Sequence, residues 1–504
     1  MDAGAGLRES IRNRFWRKLE RVLTKAKVEH ALRDSKRHTD EQSALFVPPS
    51  QKDTHVTEYY KDTHEIIVKC LPEAKDYTND FLYKAGHEPG ILSLAFEKDR
   101  PIPFMIPGCR FNEFYGWDSY FIARGLVQDG YYDMARGVIK QFAFELFNYG
   151  KILNANRPYY LGRTQPPFVS DLAWALEPIF TNEFVEWINA AIFEYNTVWM
   201  VEPRLDLSTG LSRYYAQGRG VPPEVEEHHF DKELAPYAKK YNLTIDEFVH
   251  KYDMLEIEEP ELDTFFLHDR SLRESGHDVT SRFVYCCADL VTVDLNSLLY
   301  KYEMDICRAI QAYPDSFPGE SAKKWRDRAK RRKKLMNELL WDDVNGVFYD
   351  YDIKAKKPHN RILSATTFWP LWAGLATQEQ AARLVKEALP RLEGAGGLAS
   401  TSKLEDNGWQ WDYPACWAPH QLLAWEGLEK YGYHQIAERL ASKWLNQVCK
   451  SYKITDGVVY EKYDVRDVPN PHAVMAEYGN QGSSESGFGW TNAVFAIGWD
   501  KYCR

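Results

Sequence analysis

Six segments of this chain gather the side chains that could do acid–base chemistry. They are IPGCRFNEFYGWD (106–118), ILNANRPYYLGRTQPP (152–167), GRGVPPE (218–224), RESGHD (273–278), GWQWDYPACWAP (408–419) and EKYD (461–464). Each is dense in Trp, Tyr, Arg, Asn and carboxylates, with Gly or Pro shaping the turn. The carboxylate candidates are Asp118, Glu224, Glu274, Asp278, Asp412, Glu461 and Glu477. Carboxylates, arginines and tryptophans together, without a cluster of metal ligands, point to glycoside hydrolysis. That reaction needs one carboxylic acid to protonate the leaving oxygen and a second carboxylate as base or nucleophile. An oxocarbenium-like transition state is positive, so anionic neighbours stabilise it and an aromatic wall keeps bulk water out. Residue types alone do not rank the seven. Asp118 and Asp412 each follow a Trp at a loop–helix junction, where a capping role serves equally well.

Such segments act together only if the elements between them bring them to one place. The intervening sequence reads as helix after helix. Apolar residues recur with the helical period over 118–130, 132–149, 168–181, 183–200, 233–252, 290–312, 320–341, 365–374, 376–390, 416–431, 433–450 and 487–500. Strand candidates are few, Val344 to Tyr351 and Ile454 to Tyr463 being the best. No sequence repeat of 20–50 residues appears, which argues against a superhelical array. Helices packed in a closed double ring would open all the polar loops on one face, over a rigid scaffold. The expected fold is therefore all-α, a toroidal barrel with the loops of one face forming the site.

Composition agrees. The 504 residues carry a net charge of −10, are 44% hydrophobic and include 16 Trp. The mean hydropathy is −0.51. The acidity argues against nucleic acid as the main partner. No apolar run is long enough to span a membrane. Phosphate-binding glycine motifs are absent. Eight cysteines with no CxxC spacing suggest free thiols in a reducing cytosol rather than a disulfide scaffold or a zinc site. No metal or other cofactor is expected. Residues 1–40 stand apart as a basic N-terminal arm, with residues 41–504 as the single catalytic domain. Within the arm Ile11, Phe15, Leu19, Val22, Leu23 and Ala26 share a helical face, suited to docking on the domain, a partner or anionic lipid. Lys36-Arg37-His38-Thr39 is a thin candidate for a basophilic kinase.

PGCRFNEFYGWDSY (107–120) and QWDYPACWAP (410–419) closely resemble the two signature patterns of the trehalases, glycoside hydrolase family 37. RESGHD, EKYDV (461–465), AEYGNQG (476–482) and GFGWTNA (487–493) resemble the fungal neutral trehalase branch. So do GKILNANRPYYLGRTQPPF (150–168) and LVTVDLNSLLYKYE (290–303). The resemblance covers about residues 70–504 in the right order. It implies an (α/α)6 barrel that hydrolyses α,α-trehalose to two glucose molecules with inversion. It makes Asp278 the general acid and Glu461 the general base. It places sugar-binding roles on Arg110, Phe111, Trp117, Asp118, Asn154, Arg163, Arg219, Glu224, Trp411 and Glu477.

An acid that stays protonated near neutral pH needs burial or a negative neighbour. Glu274 and Glu224 could supply that charge, and Glu274 is grouped with the substrate-binding residues. As a lone carboxylate, Glu274 also reads as a helix cap. His277 reads as an orienting or core histidine. Cys109 and Cys416 stand where the family usually has Gly. If either position required a positive φ, Cys would strain the loop by about 1 kcal/mol or more. No EF-hand loop appears, so the calcium-binding domain of the branch is not expected. Activation by phosphorylation through an adaptor protein would fall to the Arg-rich arm alone. Two further readings remain open: an α/α-barrel glucosidase for another α-glucoside, and a silent trehalose-binding protein.

Overall fold

A computed structural model describes residues 2–503 apart from 35, 37–40, 62–65, 109, 226–227, 405–407 and 475–478. Within them, twelve helices alternate between an outer and an inner ring. Residues 2–19 form α1, whose middle is a wide turn at Ile11–Phe15. Then come α2 (Gly116–Asp129), α3 (Tyr132–Tyr149), α4 (Val169–Leu176) and α5 (Thr181–Glu194). The next are α6 (Val293–Ala312), α7 (Ala322–Leu339), α8 (Trp369–Ala373) and α9 (residues 378–392). The last are α10 (Ala418–Lys430), α11 (His434–Ile454) and α12 (Gly489–Tyr502). The even-numbered helices contact one another in the order α2, α4, α6, α8, α10, α12 and back to α2, which closes the inner ring. This is the (α/α)6 barrel.

The inner helices lie between the ring's centre and the outer layer, so apolar and small residues surround them on nearly every side. In α12 every residue from Gly489 to Ala496 is buried. By contrast α7 buries only a stripe, Trp325, Ala329, Arg332 and Met336, and turns lysines and arginines outward. Close approach of inner helices needs small residues. A Cβ on Gly125 of α2 would lie 2.6 Å from Cβ of Ala493 on α12.

The segment read as an arm supplies the outer helix that covers α11 and α12. Leu7, Ile11, Phe15, Trp16 and Leu19 enter the same core as the rest of the barrel. The Arg8 guanidinium pairs with Asp129 at the end of α2 and with Asp500 of α12. Of the kinase-site candidate, only Lys36 lies within the described residues.

Other differences are local. The helix expected over 233–252 divides into Asp231–Tyr241 and Ile245–Asp253, because Asn242 takes a left-handed conformation (φ +58) and Thr244 restarts the helix in a capping box with Glu247. A further helix, Pro260–Glu274, joins these two around a separate apolar cluster of Phe230, Phe248 and Phe266. The strand expected from Ile454 begins later, since Ile454 still belongs to α11. Its C-terminal part pairs β1 (Ala415–Trp417) with β2 (Lys462–Asp464) antiparallel, Trp417 opposite Lys462. That ladder ties the connection before α10 to the one before α12.

Candidate active site

Connections from outer to inner helices meet over the N-terminal ends of the inner ring. They enclose a cavity of about 620 Å³, its open mouth included. Phe111 comes from the connection before α2, Trp117 and Asp118 from the start of α2, and Asn154 from the connection before α4. Asp278 enters ahead of α6, Trp411 ahead of α10 and Glu461 ahead of α12. Five separate connections thus place seven of the expected residues on one cavity wall. Helix N-termini carry partial positive charge, a favourable setting for carboxylates.

The aromatic walls are rigid. Trp411 and Trp417 stack with ring centres 3.8 Å apart and planes 2° from parallel. Trp117 lies 5.6 Å from Trp411, and Trp490 meets Trp117 edge-on at 5.9 Å. Offset and edge contacts of this kind hold aromatic rings in place.

Asp278 sits just beyond the helix Pro260–Glu274, in a loop that backbone geometry and hydrogen bonds both fix. Gly276 has φ +75, and a Cβ there would fall 2.5 Å from the Trp117 ring. Gln410 Nε2 donates to the Asp278 carbonyl at 2.9 Å, and Trp411 N donates to the Val279 carbonyl at 3.2 Å. Asp412 is fully buried and anchors the same junction. It accepts from Thr280 Oγ1 at 2.7 Å and from the amides of Ser281 and Trp409. Its role is that of a clamp. His277 lies behind the loop among Trp117, Trp411 and Phe283, with Nε2 3.0 Å from Nε2 of His420. Burial lowers its pKa to about 4, so it is a neutral core histidine that packs and orients.

Glu461 is fixed from the other side. Its amide donates to the Gln481 carbonyl, and its own carbonyl accepts from Trp490 Nε1 at 2.9 Å. Lys462 Nζ lies 2.9 Å from Glu461 Oε2 and over the Trp417 ring. Asp118 faces both acidic candidates. Burial pushes its carboxyl well above the usual carboxylate range, and the charges of Glu461 and Asp278 push it further.

The remaining expected residues lie elsewhere. Arg163, Glu224 and Arg219 line an adjoining cleft. There Arg163 pairs with Glu224 at 2.7 Å, while Arg219 pairs with Asp80 at 2.7 Å and covers the Tyr83 ring. Arg110 is half-buried with its guanidinium over the Phe111 ring, and it is not on the cavity wall. Glu274 does not reach Asp278's side of the cavity. It is fully buried in a bidentate pair with Arg204 and accepts from the amides of Thr164 and Tyr215. The pair with Arg204 outweighs burial and keeps its pKa low. Glu274 therefore joins two connections, its carboxylate engaged by Arg204 and two amides. Glu477 and Cys109 fall outside the described residues. Cys416 is in β1, and its φ is not positive. The thiol donates to the Tyr463 carbonyl at 3.2 Å, so the feared loop strain does not arise there.

Wall residues to which sequence reasoning gave no part in the site include Lys36, Tyr115, Gln165, Gln410, Gln481 and Trp490. Gln165 and Gln410 stood inside segments already singled out, and Trp490 inside GFGWTNA. Lys36 stood only in the kinase-site candidate, and nothing local ties it to a cavity more than 75 positions further on.

A family model described as Trehalase matches residues 2–503. The cytosolic neutral trehalases of Kluyveromyces lactis and of Saccharomyces cerevisiae are each 43% identical to the chain, over 97% of it and 70% of their own length. The solved structure of neutral trehalase Nth1 from Saccharomyces cerevisiae superposes with a TM-score of 0.91 at 41% identity, covering 100% of this chain and 94% of that one. A GH63 mannosylglycerate hydrolase from Thermus thermophilus shares the fold, with a TM-score of 0.51 at 20% identity over 79% of this chain and 95% of that one.

Proposed function

We propose, since this chain belongs to the trehalase family, that Asp278 and Glu461 are the acid and base with which it hydrolyses α,α-trehalose to two glucose molecules, inverting the attacked centre. The observation that carries the assignment is that these two carboxylates, 183 positions apart, enter one aromatic cavity from opposite connections. An inverting pair needs room for a water, about 6.5–9.5 Å between carboxyls. Asp278 would protonate the bridging oxygen as the bond to the anomeric carbon lengthens. Glu461 would take a proton from a water on the opposite face of the ring, and that water's oxygen becomes the new anomeric hydroxyl.

The surroundings suit this division. The ion pair with Lys462 holds the Glu461 carboxylate in one orientation. Burial, and then the Glu461 charge, push the Asp118 carboxyl towards its protonated form, which would donate a hydrogen bond to a sugar hydroxyl. The indoles of Trp117, Trp411 and Trp490 exclude water around the developing positive charge. The setting is the cytosol, as for the curated relatives named cytosolic neutral trehalases.

A proton NMR time course with trehalose tests the reading. One α-glucose and one β-glucose at early times are expected. Two α-glucoses would overturn inversion, and no glucose with trehalose still binding by calorimetry would overturn catalysis.

A further inference from the structure

The cavity is completed by a side chain from outside the twelve helices. After α1 the chain forms a short helix, Val28–Leu32, and then runs to the mouth of the cavity. Arg157, fully buried in the connection before α4, catches this segment by its backbone. Its guanidinium donates to the carbonyls of Ala31 at 3.0 Å, Leu32 at 3.2 Å and Arg33 at 2.9 Å, and pairs with Glu113 at 2.6 Å. Tyr159 Oη donates to Asp34 at 3.2 Å, and the same Asp34 oxygen accepts from the Lys36 amide at 2.8 Å. Five guanidinium donors in a fixed fork suit a grip on several carbonyls at once.

The grip sets where Lys36 reaches. Its Nζ donates to Tyr160 Oη at 3.0 Å, and its side chain lines the cavity that holds Asp118, Asp278 and Glu461. The other face of this corner belongs to the adjoining cleft, where Arg163 lies over the Tyr160 ring and pairs with Glu224. The Lys36 charge is felt by Asp118 on one side and by Glu224 on the other. A flexible ammonium with three donors thus stands on the cavity wall within electrostatic reach of the cleft's Glu224.

We propose that Lys36 is a substrate-binding residue, donating to a hydroxyl of the glucose unit nearest the Arg163–Glu224 cleft, and that the Arg157 grip on residues 31–34 exists to place it there. This rests on the reading of the cavity as the trehalose site. A hydroxyl remote from the reacting carbon keeps its contacts from ground to transition state, so this contact supports binding throughout rather than the chemical step.

The test compares the wild-type chain with Lys36→Met and Lys36→Arg in kcat, KM and melting temperature, with trehalose calorimetry alongside. Lys36→Met is expected to raise KM and Kd about tenfold with kcat nearly unchanged, the scale of one hydrogen bond from a charged donor. Lys36→Arg should recover most of the loss. Melting temperatures should agree, since Lys36 is only partly buried. An unchanged KM in Lys36→Met, a lower melting temperature with KM intact, or no recovery in Lys36→Arg would each overturn the proposal. If the wild type releases no glucose, the trehalase reading fails instead. The calorimetric comparison then still decides whether Lys36 binds the sugar.

Discussion

At the scale of single residues, the carboxyl groups near the cavity divide by what surrounds them. Asp412 and Glu274 are as buried as any carboxylate in the chain, yet each is saturated by amides, a hydroxyl or a guanidinium. Such groups hold loops together. Asp118, Asp278 and Glu461 share the open cavity, and the first has its ionisation opposed by the other two. Replacing Asp278 by Asn should leave the fold and trehalose binding intact while lowering kcat by about 10²–10⁴-fold, the range for lost acid catalysis. Single-turnover glucose release would measure it, and near-normal turnover would reassign the acid. Glu461→Gln should lose activity on the same scale. Any azide product should be the β-glucosyl azide, because azide would enter on the face that Glu461 serves, opposite the departing glucose.

At the scale of elements, the site depends on how closely inner helices approach and on what lies beneath the acid's loop. Gly125 sits where α2 meets the backbone of α12. Gly125→Ala should cost about 1–3 kcal/mol by overpacking, read as a lower melting temperature; an unchanged transition would mean the two helices separate easily. Under the Asp278 loop, His277 and His420 face each other with both pKa values lowered by burial, His277 to about 4. Their folded pKa values lie below the unfolded value of about 6.5. The stability they provide is therefore full above that pH and is lost as pH falls towards 4. Thermal unfolding followed from pH 7.5 down to 4.5 should show this decline. The His420→Gln variant should decline less steeply over the same range.

At the scale of the whole molecule, the first and last helices close the structure. Arg8 of α1 bridges the end of α2 and α12, with both of its acidic partners nearly buried. Arg8→Met would strand Asp129 and Asp500, and a loss of about 3 kcal/mol is expected from leaving buried charge unpaired. A chemical denaturation midpoint would report it, and activity at low temperature should survive. No shift in the midpoint would show that α1 is held by its apolar face alone.

Much of this was legible in the chain as text. The alternation of amphipathic outer helices with more uniformly apolar inner ones is a property of side-chain periodicity, so the helices of the rings were readable from 118 onward. The loops that bear the chemistry announced themselves by composition, and Asp278 and Glu461 by local motifs. What periodicity cannot express is which distant segments share a partner. Glu274 looks like a neighbour of Asp278 in sequence, yet its carboxylate is taken up by Arg204 and is not on the cavity wall. The helical face of residues 2–19 leaves domain, partner and lipid open as its docking surface until Asp129 and Asp500 are brought to Arg8. Lys36 carries no motif that points to a sugar, and the Arg157 grip is what brings its segment to the cavity. Local sequence determined the helices and the composition of the loops between them, because those depend on side chains near in the chain. Tertiary structure decided which charges pair and which face the substrate, because burial and Coulomb energy depend on distance in space.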